Sequence, residues 1–123
     1  MTDPRKWTRS ALLALVLAAP GAASANGGLA TGAEIEAAIL ANDIVYDGIG
    51  MERHEPGGRI LSRSSEAPVG RTSVGEWRVE NDLRCVRWTP TMDWACYGAL
   101  IEGDTLRFID GMGNVSTGRL VPR

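Results

Sequence analysis

The residue types best suited to chemistry are thinly spread along this chain. His54 is its one histidine, flanked by Glu52 and Glu55, and on a strand the period of two puts Glu52 on the same face. A histidine beside a carboxylate could do acid/base work, which would make the protein a small enzyme using Glu52 and His54. Two such groups do not complete a zinc or copper site, so no metal and no cofactor are expected. The favoured reading of the pair is an exposed polar strand face. Ser64, Ser65, Ser73 and Ser116 are available as nucleophiles, but none sits in a Gly-x-Ser-x-Gly elbow. Asp110-Gly111-Met112-Gly113-Asn114 lacks the alternating ligands and terminal glutamate of an EF-hand and reads as a hairpin turn. Carboxylate pairs at glycosidase spacing arise by accident on many sheets. No phosphate-cradling loop joins a strand to a helix. A non-catalytic role is therefore favoured over an enzymatic one.

The cysteines carry the sharpest local expectation. If Thr89 to Met92 form a four-residue loop between two strands, Cys85 and Cys96 stand directly opposite each other across the hairpin. A non-hydrogen-bonded antiparallel pair brings Cα atoms to about 4.5 Å, at the short end of disulfide geometry. Closing so short a loop adds about 3 kcal/mol or less. Redox catalysis is the weaker reading, because oxidoreductase dithiols are usually Cys-x-x-Cys at a helix start and these are eleven apart. The same register puts Leu83, Cys85, Arg87, Trp94, Cys96, Gly98 and Leu100 on one face. Val86, Trp88, Ala95, Tyr97, Ala99 and Ile101 fall on the other. Both faces carry bulk, so the pair is either covered on both sides, with the N-terminal helix as the candidate cover, or presents aromatic groups to a ligand. Trp77, Trp88, Trp94, Tyr97 and Arg87 are the candidate binding residues.

The compartment follows from the N-terminus. Arg5, Lys6 and Arg9 form a positive region, Ala11 to Ala19 an apolar run, Pro20 and Gly21 a break, and Ala23-Ser24-Ala25 a small-residue cleavage site. Residues 1–25 thus read as a signal peptide, 26–30 as a flexible mature N-terminus, and 31–123 as one domain. The apolar run is about half of a bilayer span, so no stable membrane insertion is expected after leader removal. Neither cysteine lies near the cut before Asn26, which argues against a lipoprotein. The protein is expected to be periplasmic or secreted, where two cysteines normally pair.

The leader would remove three of 13 basic and one of 15 acidic residues, leaving a net charge of −4. Nucleic acid is excluded as a partner on that balance. Lys6 is the only lysine, so lysine-based covalent chemistry goes with the leader. Arginines crowd the middle of the chain (Arg53, Arg59, Arg63, Arg71, Arg78, Arg84, Arg87) among carboxylates. They read first as a solvated mixed-charge surface and second as an anion-binding face.

The positioning elements are legible in the punctuation. Thr31-Gly32-Ala33-Glu34 is a capping box, and the short helix it opens presents Ile35, Ala38, Ile39 and Leu40 on one face until Asn42. It should lie on a sheet or plug one end of a barrel. Turn signals then separate eight short runs: Ile44–Tyr46, Gly50–Glu55, Arg59–Arg63, Gly75–Val79, Leu83–Trp88, Trp94–Glu102, Thr105–Ile109 and Val115–Val121. Connections this short make an antiparallel meander. The expected fold is all-β, a small meander barrel of about eight strands with one N-terminal helix, because closure removes exposed edges. A two-layer β-sandwich is the alternative. Ser64 to Thr72 is the longest irregular stretch, where a functional loop would sit.

Three motifs carry a resemblance: Gly75-x-Trp77-x-Val79, Cys85-x-x-Trp88 and Trp94-x-Cys96-Tyr97. Together they resemble small exported proteobacterial domains of unknown function, loosely from Asn42 to Val121. That likeness implies a compact periplasmic β-domain and transfers no catalytic residue. Gly-x-Trp is also similar to a feature of lipocalin-like and periplasmic protease-inhibitor barrels. The expected function is an exported binding domain for an envelope protein partner or a small apolar or anionic ligand. Inhibition of an extracytoplasmic hydrolase, with Ser64 to Thr72 as the inserting loop, and a small envelope enzyme are the alternatives.

Overall fold

The structure, a computed structural model, describes residues 28–65 and 70–123. The expected leader and residues 66–69 of the irregular stretch Ser64 to Thr72 lie outside the described residues.

The capping box forms as the sequence dictates. Thr31 Oγ1 accepts from the Glu34 amide at 3.2 Å, and the Glu34 carboxylate accepts from the Thr31 amide at 2.8 Å. Helix α1 spans Gly32–Ala41, with Ile35 and Ile39 fully buried. Asn42 ends it with extended backbone, its side-chain amide donating to Ala38 O at 2.8 Å.

Eight strands follow: β1 Asn42–Tyr46, β2 Gly50–His54, β3 Arg59–Ser64, β4 Thr72–Glu80, β5 Leu83–Arg87, β6 Ala95–Glu102, β7 Thr105–Ile109 and β8 Val115–Pro122. Each pairs antiparallel with the next, and β8 returns to β1, so the meander closes into a barrel rather than opening into a sandwich. Like the turn between β6 and β7, that between β4 and β5 has only two residues. Asn81 and Asp82 take φ values of 53° and 58° there, the left-handed pair that a type I′ hairpin needs. The Asp82 carboxylate also accepts from the Gly32 amide at 2.7 Å, tying this turn to the start of α1.

The cysteine register is the one the hairpin arithmetic requires. Cys85 opposes Cys96, between the pairs Arg84 with Tyr97 and Val86 with Ala95. A disulfide joins them, with the Cα atoms 4.0 Å apart.

Around the barrel, inward positions carry Ile44, Ile60, Trp77, Val86, Ala99, Leu106, Phe108 and Leu120, all buried. Outward positions carry Asp43, Arg53, Arg59, Glu76, Arg78, Arg87, Arg107 and Arg119, half-buried or exposed. This apolar inside and charged outside is the reverse of a lipid-facing barrel wall. Among the described residues, no helix is long and apolar enough to cross a membrane.

One end of the barrel is stoppered. Ile35 and Ile39 of α1 join the core, and Arg123 clasps the helix from outside. Its guanidinium donates to Leu40 O at 2.6 Å and to His54 O at 2.8 Å, while its amide donates to Ala41 O at 3.2 Å. The helix is thus a plug, not the cover of the outer face of β5 and β6. That cover comes from the preceding segment, which was expected to be flexible. Ala30 is buried and donates its amide to Ala99 O at 2.7 Å, and Leu29 lies over Gly98 beside Leu83.

Candidate functional site: the open end of the barrel

The end opposite α1 is not filled. A cavity of about 540 Å³ opens there, walled by Tyr46, Glu52, Ser62, Val86, Trp88 and Tyr97, with Arg84 and Phe108 among its lining. That volume falls within the range of small-molecule sites. Two glycines shape the walls. A Cβ at Gly118 would lie 2.6 Å from Ile44 and 3.1 Å from the Tyr46 ring, and one at Gly75 would lie 2.7 Å from the Trp88 indole. Each aromatic ring therefore occupies space that a side chain on the neighbouring strand would otherwise take.

Arg84 is the unusual member. It alternates along β5 with residues facing outward, so the register sends it inside with Val86. Its side chain is 4% exposed, and Glu52 at 3.8 Å is its ion-pair partner. The guanidinium carbon lies over the Phe108 ring, 3.9 Å from its centre, and 5.2 Å from the centre of the Tyr97 ring. Its Nε and one terminal nitrogen, Nη1, have no hydrogen-bond partner. Buried N–H groups are nearly always paired, and leaving one unmet costs about 1–3 kcal/mol, more for a charged group. The same Glu52 oxygen accepts a hydrogen bond from the Tyr46 hydroxyl at 2.9 Å. Burial first, and then the Glu52 charge, pushes the Tyr46 hydroxyl far above its usual range, so it stays a donor.

Two large apolar side chains stand at the lip of the cavity among polar ones such as Arg63 and Ser116. Ile49 and Val115 line it while 71% and 54% exposed. The site thus combines a buried cation, aromatic walls and a rim that exposes two apolar side chains.

The residues singled out from sequence divide among three places. Trp88 and Tyr97 line the cavity. Trp77 belongs to the core, 8% exposed, with its indole N–H donating to Glu55 O at 2.9 Å. Arg87 and Trp94 lie on the outer wall, on the face that also holds the disulfide. There the guanidinium groups of Arg78 and Arg87 lie 4.2 and 4.5 Å from the Trp94 ring centre. Both arginines are paired, Arg78 with Glu80 and Arg87 with Glu76, each at 2.5 Å. A shallower groove of about 390 Å³ runs beside them, past Gly58, Val74 and Pro90.

His54 corrects the expectation of an exposed polar face. It points into the barrel at the stoppered end, fully buried, with its ring edge-on to Trp77 at 5.5 Å and neither ring nitrogen hydrogen-bonded. Burial, then the Arg84 and Arg123 charges, pulls its pKa down to about 3, so the imidazole is neutral. It does not line the cavity that Glu52 reaches. A shared acid/base role for the two has no common space to work in.

Arg84, Tyr46, Ser62 and Phe108 were not singled out as site residues. The signal for Arg84 was present in its place at period two before Val86 and Trp88, an arginine in the phase of the apolar face. No protein-family model matches the chain, and no curated protein or solved structure is similar enough to it to carry an argument. The site is therefore read from its own geometry.

Proposed function

We infer that this protein is a non-catalytic binding barrel of the cell envelope or exterior, which holds a small apolar or anionic molecule in its open end. The observation that carries this reading is the ligand-sized cavity with a buried, incompletely bonded arginine in its lining. A barrel whose only task was stability would be expected to pack this end with side chains, as it does at α1. The disulfide and the charged outer wall are compatible with export, which rests on the leader-like N-terminus. Kinship with the small exported domains of unknown function is likewise proposed on the three Trp and Cys motifs alone.

The test uses the neutral fluorophore N-phenyl-1-naphthylamine with the protein lacking residues 1–25. Fluorescence should rise to saturation at one probe per chain. Ser116 faces inward at the lip opposite Phe108, so Ser116→Trp should weaken probe binding at least tenfold without changing the fold. No saturable signal, or equal binding by the variant, would defeat the reading.

A further inference from the structure

We propose that the natural ligand carries a single carboxylate on an apolar body, with the carboxylate on Arg84 and the body running between Trp88 and Tyr97 toward the lip. This rests on the binding-barrel reading and narrows it to a chemical class.

The argument begins with what the guanidinium still offers. Its central carbon lies 3.9 Å from the Phe108 ring centre and 5.2 Å from that of Tyr97, and Nε and Nη1, which project from different edges of the planar group, are both unmet. An unmet N–H donor on a cation is met best by an anionic oxygen, and a carboxylate supplies one with a single charge. Glu52 does not fill this role, because its approach to Nη1 is 3.8 Å, beyond hydrogen-bond length. Nor is the Tyr46 hydroxyl the natural donor to a ligand, since its proton is directed at Glu52.

Charge then selects among anions. Among the described residues, the charged groups lining the cavity are Arg84, Arg63 and Glu52. Their sum is one positive charge, and Arg63 stands exposed at the rim, bonded to Thr72 Oγ1 at 3.3 Å. One negative charge balances this set. A doubly charged phosphate would leave an excess negative charge beside the Glu52 carboxylate inside the barrel, where like charges repel more than in bulk water. The apolar body follows from the walls and from Ile49 and Val115, which a fully polar ligand would leave uncovered.

The experiment is calorimetric titration with decanoate, decanol and decyl phosphate, and in a second arm with 2-naphthoate and 2-naphthol. Binding of a carboxylate at least tenfold tighter than its neutral analogue in either arm is expected, and the arm that shows it identifies the body as chain or ring. Arg84→Met should bring that ratio to about one while N-phenyl-1-naphthylamine still binds. Glu52→Gln keeps an acceptor for Tyr46 and removes the competing charge, so decyl phosphate should gain at least threefold on decanoate. This second variant keeps the proposal testable if Arg84→Met does not fold. Equal binding of acid and alcohol by the unaltered protein would overturn the carboxylate assignment and leave the binding barrel standing. Failure of every compound and of the naphthylamine probe would overturn both.

Discussion

His54 illustrates how a polar residue becomes structural by direction alone. An imidazole with two unbonded nitrogens is accommodated only as the neutral form, and burial supplies the shift to about 3 from the usual 6.5. Between those values the unfolded chain takes up a proton that the folded chain excludes. Stability must therefore fall as pH drops through that window, by up to about 1.4 kcal/mol per unit. Asp43, Asp47, Glu55 and Asp110, held below the carboxylate range by their hydrogen bonds, add acid sensitivity as pH approaches their unfolded values of 3.8 and 4.5. The interval from about pH 6.5 to 5.5 thus isolates the histidine. His54→Leu should fold with equal or greater stability at pH 7, and its denaturant midpoint should be flatter across that interval. An unchanged slope would show that His54 is protonated in the folded state. Trp77 was similarly placed among binding candidates by residue type. Its position in the core opposite Val86 follows from a register that closure of the whole barrel determines.

At the scale of elements, the features that could be read from sequence are those with local causes. The Thr31 and Glu34 box, the Asn81-Asp82 turn and the Cys85 to Cys96 pairing each depend on fewer than about a dozen neighbouring residues. The cover over β5 and β6 was less legible, because an arm from Gly28 to Ala30 reaches it by contacts across the sequence, and a glycine-rich start reads as loose. The disulfide lies on the outer phase of the hairpin, while Arg84 and Tyr97 lie on the inner one. Replacing both cysteines with serine should accordingly cost about 3 kcal/mol or less in unfolding free energy. Affinity for the naphthylamine probe should stay within about twofold of the unaltered protein. Loss of probe binding with the fold intact would mean that the outer wall, with Trp94 and Arg87, forms part of the site.

For the molecule as a whole, closure is what turns a two-faced meander into a container. Eight strands and a single plug leave one end packed by Ile35 and Ile39 and the other bordered by Ile49 and Val115. Turn chemistry announced the barrel, since antiparallel strands so closely spaced must pair in sequence order. It did not announce which phase faces inward at β2 and β5, where His54, Glu52 and Arg84 are polar residues on the buried side. Hydrophobic patterning sends such residues outward by default, so the cavity chemistry was hidden in the positions that break the pattern. The central claim is that this open end is the binding site. It is tested most directly by following backbone amide NMR signals of the protein without residues 1–25 during a decanoate titration. The account predicts saturable shifts concentrated at Tyr46, Glu52, Ser62, Arg84, Tyr97 and Ser116, with Arg78, Arg87 and Trp94 unmoved. Shifts confined to the outer wall, or none at saturating ligand, would contradict it.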